Sequence, residues 1–437
     1  MGASASADRV RTGAPPASGR PSRALADGPR SDREDDPREP GHVLQILQPD
    51  RGGVPAYVDN LTRGLMDRGW RVTLAAPPGS ASAQNAGSFG AQLVPLSLPR
   101  GPHPTRDLVA VARLATLIRR EKVDIVHAHS SKAGIVGAWA ARLTGRGSVY
   151  TPHAWPFQMD GSRMTRAMYA GIERTQSRHC RDRIILVSHE ERAAGARMSI
   201  CPAEMMEVIH TGIPVPAPGL SRADARRSLG IDDDAIVAAW VGRGSAQKRP
   251  EDVAPLQERL GANATILALG DGLDPYLGTR FSDAGGVTAR PGTPVSTVYA
   301  ASDLLVHTAA WEGLPLVVLE AMQMGLPVIA YGVGGIVELV TDSHNGHLVD
   351  CGDVESLAGR VLTIAGDRKA RLRMGVAARD RSEVDFGYDR MVGQVERVYE
   401  HVYASSRDGV NRARNGSSES SGSAGWQPFA ERGSYAP

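Results

Sequence analysis

The sequence lacks any apolar run near the roughly 18 residues that would span a bilayer, so no transmembrane segment is expected. The first 40 residues are polar and arginine-rich with no apolar core, which does not fit a secretory signal. Cysteine is scarce: Cys180, Cys201 and Cys351 are the only three in 437 residues. They show neither metal-ligand spacing nor a disulfide framework, so a reducing, cytoplasmic setting is expected. Lysine is scarce as well, supplying only four of 50 basic residues. Where arginine is the default, a retained lysine such as Lys132 or Lys248 points to a place that wants a compact ammonium. With a net charge of +2 and no basic block, nucleic acid is not an expected partner.

Four chemical signatures are also missing. The Gly-Gly turn at 51–57 does not have the G-x-G-x-x-G spacing, and the strand-like "RVTLAAP" (71–77) does not end in an acid, which argues against a nicotinamide dehydrogenase. No Asp-x-Asp pair follows a strand; the nearest run, "DDD" at 232–234, opens one at the wrong end. The histidines at 127 and 129 lack the acid partner of a zinc site. Neither a metal nor an organic cofactor is therefore expected, and no Ser-His-Asp set is apparent.

What is present is an alternation of short apolar runs with helical patterns. Residues 1–40 and 406–437 read as disordered tails rich in Pro, Ser, Gly and Arg. Between them, "HVLQILQ" (42–48), "RVTLAAP", "VDIVHAH" (123–129), "VYTPHAW" and "RIILVS" read as strands separated by helices. A three-proline linker, "VIHTGIPVPAPG" (208–219), precedes a second series: "AIVAAWVG", "ATILALG", "LLVHT" and "PVIA". This rhythm predicts two parallel, doubly wound α/β units facing across a cleft, at 41–213 and 214–385, with a last amphipathic helix at 386–405. Ligands belong beyond the carboxyl ends of such strands.

Five constellations fall at those ends. In "WEGLPLVVLEAM" (311–322), Glu312 precedes a Gly313-Leu314-Pro315 turn, and Pro315 suits the first position of a helix. The free amides of Leu316 and Val317 would favour an anion, with Glu320 about one and a half turns further on. Carboxylates there could accept from sugar or ribose hydroxyls; a capped surface helix would show the same residues. "VGRGSAQKRPED" (241–252) places Arg243 and Lys248 after a strand, suited to a diphosphate or to a solvated basic loop. "RGGVPAY" (51–57) offers Gly52 and Gly53 for close backbone approach, or a plain turn. "TPHAWPF" (151–157) supplies His153 near a reacting centre and Trp155 for sugar stacking, with His129 and Lys132 as further acceptor-side candidates; core packing is the competing reading for each. "AYGVGGIVELV" (330–340) either lines a nucleotide pocket or makes a tight turn.

Taken in order, these segments resemble the retaining glycosyltransferases of family 4, which have the GT-B fold. The resemblance covers about 41–403 and is carried most strongly by "EGLPLVVLEAMQMGLPVIA" (312–330), which matches the family's E-x7-E signature. It implies that Glu312 contacts the donor sugar, Glu320 the ribose, and Arg243 and Lys248 the diphosphate. Gly52 and Gly53 approach the donor through backbone, and Gly313, Leu314, Pro315, Leu316 and Val317 wall the same site. His153 matches the histidine placed near the transferred sugar. The last helix would cross back onto the first domain. The implied activity is metal-independent transfer, with retention, from a UDP- or GDP-sugar to a saccharide or lipid-linked saccharide. The pattern departs at Ala309, where Ser is usual, and at Arg249, where Gly is usual; a nucleotide-sugar-binding protein without catalysis, or an epimerase or hydrolase, are the alternatives. Six arginines in 161–183, with Met164, Met168 and Ile172 on one helical face, fit either contact with an anionic membrane or a helix packed on its domain.

Overall fold

The structure, a computed structural model, describes residues 41–99, 101, 103–158, 162–216 and 219–415, with side chains through 406. The predicted tails at 1–40 and 416–437 lie outside the described residues. The apolar runs form two sheets with every strand parallel. The first contains β1 (His42–Leu47), β2 (Arg71–Ala76), β3 (Gln92–Pro95), β4 (Ile125–His129), β5 (Gly147–Thr151), β6 (Arg183–Leu186) and β7 (Met206–Val208), in the order β3-β2-β1-β4-β5-β6-β7. The second contains β8 (Val237–Val241), β9 (Thr265–Leu269), β10 (Val287–Thr288), β11 (Leu304–His307), β12 (Val328–Tyr331) and β13 (Gly346–Val349), in the order β10-β9-β8-β11-β12-β13. Parallel strands need crossovers, and the helices that supply them cover both faces of each sheet. This is why β1, β4, β5 and β8 are buried along their whole length.

Strand order reverses between β1 and β4 in the first sheet and between β8 and β11 in the second. Crevices open at such switch points, beyond the carboxyl ends. Gly52 and His153 follow β1 and β5, and His129 ends β4; Arg243 and Lys248 follow β8, and Glu312 follows β11. The two crevices face one another, and one cavity is lined from both sheets.

The last helix, Tyr388–Asn415, returns to the first domain. Met391, Val392, Val395, Val398, Tyr399 and Val402 share a buried cluster with Val43, Tyr57, Leu61 and Val72. Helical structure runs past the predicted boundary at 405 to Asn415, because the pattern carries no Pro or terminating Gly signal strong enough to stop it. Among the described residues, no helix is long and apolar enough to cross a membrane.

The helix Arg163–Cys180 carries the basic segment and lies against its domain, though not through the methionine face. It packs through Ala170, Glu173, Ser177 and Cys180, with the Glu173 carboxylate paired to the buried Arg181 guanidinium at 2.6 Å. Met164 and Met168, the residues expected to pack if the helix lay against its domain, are 80% and 51% exposed.

Candidate active site

The interdomain cavity has a volume of about 570 Å3, within the range of small-molecule sites. Two helix starts aim into it. Gly53–Asp67 begins directly after Gly52, whose φ of 100° needs a residue without a Cβ. Leu316–Gln323 begins on the opposite wall. Pro315 stands one position earlier than predicted, as the N-cap rather than the first helical residue. Its extended ψ of 120° lets its carbonyl accept the first bonds, from the amides of Val318 and Leu319. The amides of Leu316 and Val317 remain the free ones of the first turn. Arg243, exposed and paired with no carboxylate among the described residues, extends toward Gly52, where an added Cβ would lie 3.7 Å from the guanidinium carbon. Two positive helix ends and a guanidinium without a carboxylate partner give this region an electrostatic character suited to a polyanion.

Glu312 is half-buried and not alone. It forms an ion pair with Lys248, accepts from His307 Nε2 at 3.3 Å and from Gln247 at 3.4 Å. Burial alone would raise its pKa, but the Lys248 ammonium and the His307 contact prevail and hold it at about 2. Glu320 differs. It is also largely withdrawn from water, and its one partner among the described residues is the Tyr299 hydroxyl, which donates at 3.3 Å. Burial therefore dominates and pushes its pKa up to about 7. The two signature glutamates thus sit in opposite electrostatic settings. Lys248, expected to meet the diphosphate, is joined to Glu312, expected to meet the sugar, so the pair presents one wall of the cavity as a unit.

Behind Glu312 runs the glycine-rich turn at 332–335. A Cβ on Gly334 would fall 2.0 Å from the Glu312 carbonyl oxygen, and one on Gly335 would fall 1.9 Å from that of Gly313. The turn therefore supports the Glu312 loop by backbone contact and does not line the interdomain cavity.

His153 reaches the cavity because its turn is reversed: φ is 55° at His153 and 89° at Ala154, left-handed values for two consecutive non-glycine residues. Glu191 holds them there. Its carboxylate accepts from the Ala154 amide at 2.5 Å and from the Val187 amide at 2.8 Å. Burial raises the Glu191 pKa to about 7. Behind His153 a chain of buried groups continues. His153 Nε2 lies 3.1 Å from His129 Nδ1, and His129 Nε2 lies 2.7 Å from Gln45 Oε1. The Gln45 amide donates to the Tyr399 hydroxyl, which lies 2.6 Å from His127 Nδ1; His127 Nε2 meets Thr151. Burial lowers the pKa of His153 to about 3 and that of His129 well below its usual value, so both rings are neutral. With His129 Nε2–H donating to Gln45, the network assigns the shared proton to His153 Nε2.

The three acceptor-side candidates do not reach the cleft. His129 is buried behind His153. Lys132 is buried and donates to Asp107 at 2.5 Å. Trp155 is driven into the core by the reversed turn; its indole donates to the Glu191 carbonyl and its ring stacks on Phe157. Sequence reasoning missed Glu191, His307 and Gln45, which lie on other elements and are joined to the site only by folding. The segment "SHEE" (188–191) did carry a signal. It is a capping-box pattern whose glutamate here turns to a neighbouring loop, and the Ser188 hydroxyl accepts from the Glu191 amide.

Among the described residues, one group has metal-ligand spacing: His189, His210 and Glu338, with ligand atoms within 4.8 Å. The Glu338 carboxylate already accepts from the amides of His189 (3.0 Å) and Glu190 (2.9 Å), and pairs with His210 at 2.8 Å. A dication would stand against the positive end of the helix His189–Arg197, so the donor set does not favour one.

Comparison with known proteins agrees with this geometry. Residues 51–215 match the model of Glycosyltransferase Family 4, and residues 221–381 match that of Glycosyl transferases group 1. The chain is 27% identical over 314 residues to the UDP-Gal:alpha-D-GlcNAc-diphosphoundecaprenol alpha-1,3-galactosyltransferase of Escherichia coli, covering 67% of this chain and 79% of that one. It is 27% identical over 391 residues to the D-inositol 3-phosphate glycosyltransferase of Kribbella flavida, covering 80% and 91%. Its fold is shared with Anabaena HepE, solved with UDP and glucose, at a TM-score of 0.71 and 21% identity over 82% of this chain and 99% of that one. WaaG, a glycosyltransferase of lipopolysaccharide biosynthesis, superposes with a TM-score of 0.64 at 18% identity over 82% and 99%. With both halves matched in order and two facing parallel sheets, the chain belongs to the GT-B glycosyltransferases of the family 4 type.

Proposed function

We propose that the protein transfers a hexosyl group from a UDP- or GDP-sugar to a hydroxyl of a saccharide or lipid-linked saccharide, with retention of configuration and without a resident metal. The observation that carries this reading is the juxtaposition of a polyanion receptor, made by Arg243 and two helix starts, with the Lys248–Glu312 pair and the neutral His153. Arg243 and the Leu316 and Val317 amides bind the diphosphate, Glu320 the ribose, and Glu312 the sugar hydroxyls. A relative that acts on a diphosphoundecaprenol-linked sugar, and a structural neighbour solved with UDP-glucose, support the donor and acceptor classes.

In the transfer, the acceptor oxygen forms a bond to the anomeric carbon as the bond from that carbon to the β-phosphate oxygen breaks on the same face. The acceptor proton passes to the departing phosphate oxygen. Charge growing on the diphosphate is met by Arg243, Lys248 and the helix ends, which are in place before reaction and need no reorganisation. The neutral His153, whose Nε2–H is committed to His129, accepts a hydrogen bond at Nδ1 beside the reacting sugar without competing for that proton.

Glu312→Gln and Lys248→Ala each test the reading. Both variants are expected to fold and to lose at least 100-fold in transfer, while NMR of the wild-type product shows the donor's anomeric configuration preserved. Full transfer by both variants would sink the assignment of the pair, and an inverted product would sink the retaining mechanism.

A further inference from the structure

Beyond the donor cavity lies a second interdomain cavity of about 460 Å3. Glu312 lines both. The His153–Ala154 turn divides them, with His153 facing the first and Ala154 the second. The partition between the cavities is therefore made of the two groups placed closest to the reacting sugar. Any molecule in the second cavity meets the donor across that partition.

The remaining walls have a definite chemistry. From the N-terminal domain come Arg166 and Arg197; from the C-terminal domain comes Trp311. Arg197 is tied to Glu190 at 2.6 Å, and Glu312 is neutralised by Lys248. Arg166 is exposed and has no carboxylate partner among the described residues, so the cavity carries one uncompensated positive charge. The half-buried Trp311 indole stacks on no aromatic ring among the described residues. Flat indole faces suit the apolar face of a pyranose, and a guanidinium fork suits a phosphate oxygen pair.

We infer that this second cavity is the acceptor subsite and that it takes an anionic sugar ester, a pyranose bearing a phosphate or diphosphate. Trp311 holds the ring, Arg166 holds the phosphate, and a ring hydroxyl is directed at the partition formed by Glu312 and the His153 turn. The inference rests on the proposed transfer for its placement of the donor, but the binding it asserts can be measured apart from turnover. A free sugar phosphate and a lipid-diphosphate-linked sugar offer the same chemistry to Arg166.

Calorimetry on the full chain saturated with UDP tests it with three probes: glucose 1-phosphate, glucose, and a decyl-diphosphate-linked N-acetylglucosamine in neutral micelles. One of the two anionic probes is expected to bind at least tenfold more tightly than glucose, and which of them is tighter identifies the natural source as free or lipid-linked. Arg166→Ala should weaken anionic-probe binding at least tenfold and Arg166→Lys should recover part of it, with UDP affinity unchanged within twofold. Trp311→Ala should weaken all three probes. The inference is overturned if neither anionic probe binds better than glucose, if Arg166→Ala binds them as the wild type does, or if UDP displaces them. Failure of both UDP and GDP to bind, with Arg166-dependent binding of an anionic probe intact, would instead remove the donor reading and leave this cavity's ligand class standing.

Discussion

At the scale of single residues, the two signature glutamates show how one residue type takes two roles. Glu312 is held ionised by Lys248 and His307, while Glu320 is withdrawn from water with the Tyr299 hydroxyl as its partner among the described residues. The consequences for stability have opposite signs. For Glu320 the folded pKa of about 7 lies above its usual 4.5, so the fold favours the protonated carboxyl. That stability is fully present below about 4.5 and is lost as pH rises through 7. The melting temperature is therefore expected to fall between pH 5 and pH 8, by the equivalent of roughly 2–3 kcal/mol from this group. Glu320→Gln should flatten the decline, and calorimetry of both proteins across that range checks it; equal slopes would refute the burial argument. Glu191, also near 7, leaves a residual slope in the variant. Glu312 acts only in acid, losing its contribution as pH falls through its folded value of about 2. Arg249 answers a different question. Its φ is 47°, a left-handed value, which explains a glycine preference at this position. Here its guanidinium bonds Asp252 at 2.7 Å and turns from the phosphate receptor, so the departure from the family pattern is a matter of loop conformation.

Among the elements, two helices carry testable consequences. Tyr399, on the returning helix, accepts from Gln45 and meets His127, closing the buried chain that runs to His153. Tyr399→Phe keeps the ring and deletes the hydroxyl, leaving a buried amide and an imidazole nitrogen without that partner. A loss of about 1–3 kcal/mol in chemical unfolding is expected. A change below about 0.5 kcal/mol would show that water replaces the hydroxyl. The helix Arg163–Cys180 turns Met164 and Met168 outward beside the arginines at 163 and 166. Apolar side chains rimmed by cations suit the headgroup boundary of an anionic bilayer. Sedimentation with phosphatidylglycerol vesicles is expected to recover the wild type, and the double variant Met164→Glu, Met168→Glu to lose most of that binding. Equal recovery would exclude this helix as the contact.

For the whole molecule, the relation between domains depends on a few bonds that cross the cleft. Glu338, in the C-terminal domain, caps the helix His189–Arg197 of the N-terminal domain and pairs with His210. The next residue on that helix, Glu191, anchors the His153 turn, so the contact that sets domain closure adjoins the one that sets His153. Glu338→Ala removes three charge-assisted bonds and favours an open arrangement. Donor KM should rise at least fivefold, and small-angle scattering should show a larger radius of gyration that returns toward the wild-type value with saturating donor. An unchanged radius together with an unchanged KM would show that closure is set elsewhere.

Much of this was legible in the chain itself. Strand and helix order, the two parallel sheets and the cavity wall at 312–320 follow from apolar periodicity and from turn chemistry at strand ends, which are local. Glu312, Arg243, Lys248, His153 and Glu320 all line the cavity where the order of strands placed them. Local pattern did not resolve side-chain direction near a reversal. Two left-handed residues at 153 and 154 send His153 to the cleft and Trp155 to the core, and no spacing rule distinguishes that from the opposite outcome. Nor did it reveal that Lys248 and Glu312, 64 positions apart, neutralise each other, or that Glu338 from the second domain caps the short helix whose Glu191 anchors the His153 turn. Sequence alone determined which groups are available and at which strand ends they emerge. Tertiary structure decided which of them face the ligand and with what charge, because pairing and burial depend on neighbours that only folding brings within reach.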